Sequence, residues 1–196
     1  GSVALLALLT ACGGGATGSS GEMELTGTPL DPPAQVIATP LVDTAGEPYS
    51  LVDDTDKDLT LVFFGYTSCP DICGQVMATL AGTLARLDDS EKERLDVVFV
   101  TTDPARDDEA VVADYVSAFD PGIIGLTGDL DDIVDVGKSL YVGVEQGEKL
   151  PSGGYDVTHG TRVMAIDADD RTPIMWDHDV SQAQLAQDVL MLLDEG

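Results

Sequence analysis

"FFGYTSCPDIC", residues 63–73, closes an apolar run with two cysteines, Cys69 and Cys73, four positions apart. The residues to its left belong to "LTLVFF" (59–64), a short β-branched and aromatic run of the kind buried on both faces of a parallel sheet. To its right, Cys73, Met77, Leu80, Leu84 and Leu87 recur at spacings of 4, 3, 4 and 3. They form one apolar helical stripe that begins at Cys73, and Pro70 suits the first helical position. A thiol at a strand-to-helix turn feels unpaired N–H groups and the helix dipole, both of which favour thiolate. Thiolates are redox nucleophiles and soft metal ligands alike. The C-x-x-x-C spacing therefore leaves a structural disulfide, a redox pair and a shared metal all open.

Working outward, "LDVVFV" (95–100) is a second buried strand. A helix is predicted from Asp107 to Phe119, with Asp107, Asp108 and Glu109 at its positive end and Val112, Tyr115, Val116 and Phe119 on one face. Asp120-Pro121-Gly122 stops it. "IIGLTG" (123–128), a short helix around Asp131 to Ser139, strand runs at 140–145, 162–167 and 172–176, and a last helix complete the order. Ser181 and Gln184 form a capping box for that helix, with Leu185, Val189 and Leu192 facing inward. This order is that of an α/β, thioredoxin-like domain, a central mixed sheet flanked by helices. Functional groups in such sheets gather beyond the carboxyl ends of the strands, where Cys69 and Cys73 fall.

The chain has 196 residues and 43% hydrophobic content, enough for one core. Its 36 acidic against 9 basic residues give a net charge of -27, which argues against nucleic acid or anionic lipid as main partner and favours cationic or metal-bearing ones. It also fits work outside the cytoplasm, in a salt-tolerant setting. The N-terminus, "GSVALLALLTACGGGATGSS", holds an apolar run, Val3 to Leu9, too short for the roughly 20 residues that span a bilayer. It reads as the end of a bacterial lipoprotein signal, residues 1–12, in which Thr10 and Ala11 mark the cut and Cys12 carries the lipid. No Lys or Arg precedes Lys57, so the basic start of such a signal is missing. Residues 13–33, rich in Gly, Ser and Pro, read as a flexible tether, and the domain is expected over 34–196. The odd count of three cysteines becomes one anchor plus one pair.

"GYTSCPDIC" resembles the copper-binding motif of the Sco family (SenC/PrrC-like proteins), which assists assembly of the binuclear copper site of cytochrome c oxidase. "VTTDPARDD" (100–108) is similar to that family's Asp-Pro segment, "VTHG" (157–160) offers a histidine at the expected distance, and "RVMAID" (162–167) is the strand after it. The resemblance runs from about Gln35 to the C-terminus and implies copper, as Cu(I) or Cu(II), held by Cys69, Cys73 and His159. It implies an extracytoplasmic metallochaperone, lipid-anchored to the cell membrane, whose partner is the apo copper-site subunit of an oxidase, with a thiol reductant or copper donor protein as a further partner. Two thiolates and an imidazole suit Cu(I) on chemical grounds, whereas structural zinc usually takes a fourth protein ligand. Gly74 stands where the family commonly has Pro, and Thr158 where it commonly has Asp.

The rival reading is an enzyme, a thiol–disulfide oxidoreductase in which Cys69 attacks and Cys73 resolves, reducing a target's cysteines before metallation. A peroxiredoxin lacks support because no P-x-x-x-T/S-x-x-C motif occurs. "EKLPSGGYDVT" (148–158) reads as a mobile loop leading to His159. His178 reads as a solvated loop residue, and Met77, Met164 and Met175 as core. Asp103 is a helix-entry turn residue, a neighbour of the site or part of a partner surface, and Asp71 favours the helix start. Asp53-Asp54 and Asp131-Asp132 lack the spacing of a calcium loop.

Overall fold

The structure is a computed structural model that describes residue 1 and residues 24–149, 155–159 and 161–195, with backbone alone for 145–149, 155–159 and Glu195. The strands are β1 (Thr28–Gln35), β2 (Leu41–Asp43), β3 (Pro48–Tyr49), β4 (Leu59–Gly65), β5 (Leu95–Thr101), β6 (Ile124–Thr127), β7 (Val144–Lys149), β8 (Tyr155–His159), β9 (Val163–Asp167) and β10 (Arg171–Trp176). The helices are α1 (Ile72–Leu84), α2 (Asp89–Lys92), α3 (Glu109–Ser117), α4 (Leu130–Ser139) and α5 (Gln182–Glu195). Eight strands form one mixed sheet in the order β1-β10-β9-β4-β5-β6-β2-β3, and β7 and β8 pair apart from it. Strands β4, β5 and β6 are parallel, and β9 runs antiparallel to β4.

The central strands are buried on both faces, as their largely apolar runs require. Leu59, Leu61 and Phe63 of β4, with Leu95, Val97 and Phe99 of β5, turn to one face, against α1, α3 and α5. Val62 and Phe64, with Val98 and Val100, turn to the other, against Ile133, Val136 and Leu140 of the α4 segment. Met77 and Met164 are core residues and Met175 packs at its margin, as expected. The Ser181–Gln184 capping box forms, the Gln184 amide N–H donating to Ser181 Oγ and the Ser181 N–H to Gln184 Oε1. Leu193 is the fully buried residue of the last turn, with Leu192 only partly covered.

Several expectations need correction. Helix α1 begins at Ile72 with Asp71 as N-cap, so Pro70 lies before the helix and not at its first position. Helix α3 begins at Glu109 because the Asp108 side chain accepts from the Val111 N–H and caps it; Asp107 is left outside. Residues 140–143 are the end of α4 and a turn, not strand: the Val142 N–H donates to the Gly137 carbonyl and the Tyr141 N–H to that of Lys138, the pattern that closes a helix through a left-handed residue. The segment 148–158, read as a loop, contains the ends of β7 and β8, whose Val and Tyr residues suit paired strands. Ordered backbone also begins before Ala34: β1 pairs with β10 from Thr28, and the Thr26 and Gly27 N–H groups donate to Asp188. Strand β1 lies at the sheet edge, which is where its prolines can be accommodated. Cys12 and residues 13–23 lie outside the described residues.

Candidate metal and thiol site

Gly65 ends β4 because nothing larger fits. A Cβ there would stand 2.9 Å from Phe63 Cε1, 3.0 Å from Phe99 Cε2 and 3.2 Å from Cys73 Sγ. The chain then turns through Tyr66 to Pro70, the Cys69 N–H donating to the Tyr66 carbonyl at 3.2 Å. This turn is strapped to the end of β5. The Thr102 N–H donates to the Gly65 carbonyl at 2.7 Å. The buried Asp107 carboxylate accepts from the Thr67 N–H at 2.9 Å, from the Thr67 hydroxyl at 2.6 Å and from the Thr101 hydroxyl at 2.6 Å. Asp107 is therefore no helix-end charge but the anchor of the cysteine turn.

Both cysteines are free thiols, Cys69 partly exposed and Cys73 buried in the core. The Asp71 side chain makes no capping hydrogen bond. The first N–H groups of α1 instead have the Cys69 sulfur before them. Burial opposes a charge on Cys69, but hydrogen bonds from the Cys73 thiol and from the N–H groups of Asp71, Cys73 and Ile72 outweigh it and hold the thiol below its usual range. Burial, then the hydrogen bond to Cys69, push Cys73 up to about 12. Charge is thus favoured on Cys69 over Cys73, whose proton is held more tightly. Burial and the adjacent Cys69 likewise raise Tyr66 to about 12.

Asp103 forms the helix-entry turn expected of it and is paired beside the cysteine turn. Its carbonyl accepts from the Arg106 and Asp107 N–H groups, making the turn into α3, and its buried carboxylate is paired with Arg106. Tyr66, Arg106 and Asp107 were missed as site residues. Only the density of Thr and Asp in "VTTDPARDD" hinted at a polar network there.

His159 ends β8, opposite Val144 of β7. Four residues later Val163 begins β9, in register with Phe63 of β4. The histidine backbone and the cysteine turn thus leave the same end of the sheet from adjacent strands, and four residues of chain reach at most roughly 14 Å. His178 falls in the turn after β10 as a loop residue, half-buried between the exposed Asp177 and Asp179. Among the described side chains, which do not include that of His159, no three His, Cys, Asp or Glu residues converge on a common point. No described helix is long and apolar enough to cross a membrane.

A thioredoxin-like sheet with a thiol pair at the carboxyl end of a central strand, one sulfur set against a helix N-terminus, defines a class of thiol or thiol-metal proteins. The chain belongs to the SCO1/SenC family, whose pattern matches residues 34–194. It is 34% identical over 110 residues to the mitochondrial SCO2 homologue of Danio rerio, covering 56% of this chain but only 39% of that protein. Its fold is similar to that of apo Sco1 from Thermus thermophilus, with a TM-score of 0.78 and 27% identity over 88% of this chain and 99% of the other. Copper-bound ScoI of Arabidopsis thaliana gives 0.72 and 27% identity over 83% of this chain and 100% of the other.

Proposed function

We propose that this chain is an extracytoplasmic copper metallochaperone that binds one copper through Cys69, Cys73 and His159 and delivers it to the copper site of a respiratory cytochrome c oxidase. The observation that carries the reading is the pair of free thiols at the end of β4, with the His159 strand leaving the same end of the sheet. Two soft sulfur donors and an imidazole fit copper, and the buried Cys73 would release its proton to solvent as it took the metal. The copper held by the Arabidopsis relative supports the same assignment. Lipidation at Cys12 would tether the domain to the outer face of the membrane beside its target. His159, on a hairpin outside the main sheet, is the ligand to be exchanged first for one from the incoming protein.

The division of the thiols into a low and a high member favours a second reading, a thiol–disulfide reductase in which Cys69 attacks a target disulfide and Cys73 resolves it. Anaerobic titration of the reduced protein with Cu(I) separates the two. The chaperone binds one equivalent tightly, and Cys69→Ser, Cys73→Ser or oxidation of the pair removes most of the affinity. Stoichiometric tight binding by both serine variants would sink the assignment.

A further inference from the structure

The chain just ahead of β1 is held by one buried carboxylate. Asp188 of α5 is fully buried and accepts at Oδ2 from the Thr26 N–H at 2.8 Å, the Thr26 hydroxyl at 2.7 Å, the Gly27 N–H at 3.1 Å and Trp176 Nε1 at 2.7 Å. Gly27 lets the chain come this close, because a Cβ there would stand 2.6 Å from Trp176 Nε1 and 2.7 Å from Ile174 Cδ1. Leu25 packs against the same core face. Thr28 then pairs with Met175, Trp176 with Val163, and Val163 with Phe63 of β4. Strand β1 therefore starts at the end of the sheet where the cysteine turn lies, three strand spacings or roughly 14 Å to one side.

Beyond this clasp the hold is weak. Pro29, Pro32 and Pro33 have no N–H to give, and the register with β10 breaks between Pro29 and Ala34. Pairing resumes at Ala34 and Gln35, and the Val36 N–H donates to the Asp170 carbonyl at 3.0 Å. The clasp itself is only partly satisfied. Asp188 Oδ1 is buried without a hydrogen-bond partner, and among the described residues no cation pairs with the carboxylate. An acid so placed gives up hydration on both oxygens and regains partners on one. Opening returns both to water, which offsets much of what the four donors contribute.

We propose that residues 24–33 form a releasable strap clasped by Asp188, and that its release moves the point where the N-terminal chain joins the domain from the cysteine end of the sheet to the opposite end. Clasped, the chain is first held at Thr26. Released, it is first held at Ala34, whose partner Thr172 lies roughly 10 Å along β10 from Met175. Residues 24–33 then join the chain ahead of them and add a reach of up to roughly 35 Å. The two states therefore set the cysteine end at different distances from anything that holds the preceding chain. The inference concerns the domain's own contacts and stands apart from copper and from lipidation at Cys12.

Amide hydrogen exchange of the reduced, metal-free full chain, read residue by residue by NMR, shows where the chain is first held. In wild type the Thr26 and Gly27 N–H groups should exchange at least about a hundredfold slower than an open chain, yet at least about tenfold faster than the Val36 N–H, because the strap opens without the sheet. Gly27→Ala cannot seat its Cβ beside Trp176, so Thr26 should exchange as an open chain while Val36 keeps its wild-type rate. Thr26→Val is the milder change: it removes one donor to Asp188 and should speed exchange at the Gly27 N–H about tenfold. Equal exchange at Thr26 and Val36 in wild type would mean that the strap opens only with the sheet, and overturns the proposal. Open-chain exchange at Thr26 in wild type overturns it as well, since nothing is then clasped. A Gly27→Ala protein still protected at Thr26, or a Thr26→Val protein with wild-type exchange at Gly27, would remove Asp188 as the clasp.

Discussion

Removing the Asp107 carboxylate should loosen the turn that carries Cys69 more than any other single polar change around it. The carboxylate is 1% exposed and accepts three hydrogen bonds, two from Thr67 and one from Thr101. Its backbone carbonyl takes a further one from the Thr127 hydroxyl, which fixes where the side chain starts. Hydrogen bonds to a charged acceptor contribute about 1.5–3 kcal/mol each, and each buried donor left without a partner costs about 1–3 kcal/mol. The three bonds share one acceptor and do not add in full. Asp107→Ala should therefore destabilise the domain by about 4 kcal/mol, given three donors orphaned together. Asp107→Asn should cost about 1.5 kcal/mol, because the Thr67 hydroxyl can rotate to accept from the new amide while charge assistance is lost. With a urea dependence of about 2 kcal/mol per molar, the midpoints fall by about 2 M and about 0.8 M. Urea unfolding of the reduced protein measures both, and hydrogen exchange at the Thr67 N–H should accelerate in the alanine variant. Midpoints within about 0.2 M of wild type for both variants would refute the strap.

Three further outcomes follow from the same geometry. Cys73 is raised in the folded state from the ordinary 9.0 to about 12, so the stability it contributes is complete below pH 9 and is lost as pH climbs toward 12. Urea unfolding at pH 8, 9 and 10 should show wild type losing on the order of 1 kcal/mol per pH unit above pH 9 relative to Cys73→Ala; parallel curves would contradict it. Gly65→Ala forces a Cβ against Phe63, Phe99 and Cys73 Sγ, and overpacking of this kind should cost about 2 kcal/mol and slow copper uptake. A variant as stable as wild type would show that the two rings can move aside. Copper at a thousandfold excess over its Kd should stabilise the native state by about 4 kcal/mol. His159→Ala should forfeit most of the resulting rise in Tm, and an unchanged rise would remove the histidine from the site.

Sequence periodicity disclosed the parts of the fold whose patterns are set by burial. Strands β4 and β5 are apolar but for Thr60, Asp96 and Thr101 because both faces are covered, and α1 shows its stripe because only one face is. The edges were harder to read. Strand β1 contains three prolines and looks like a linker, yet an edge strand needs only one side's hydrogen bonds and can keep them. Strands β7 and β8 form a hairpin away from the main sheet, so no continuous core imposed an alternating pattern on their sequence. The placement of the cysteines was legible, because an apolar strand run followed at once by an apolar helical stripe puts Cys69 and Cys73 at the turn between them. Asp107 was not, since an acid just before a helix is the ordinary sign of a helix start, and only the fold places Thr67 and Thr101 around it. Tyr66 and Arg106, forty residues apart in sequence, meet only because β4 and β5 are adjacent and parallel.

Cys69, Cys73 and His159 are proposed to hold one copper together. X-ray absorption at the copper edge of the reduced, Cu(I)-loaded protein reads the donor set directly. Two sulfur neighbours and one imidazole nitrogen are expected, with the nitrogen shell lost in His159→Ala and one sulfur lost in Cys69→Ser. A sulfur-only spectrum that is unchanged by His159→Ala would contradict it.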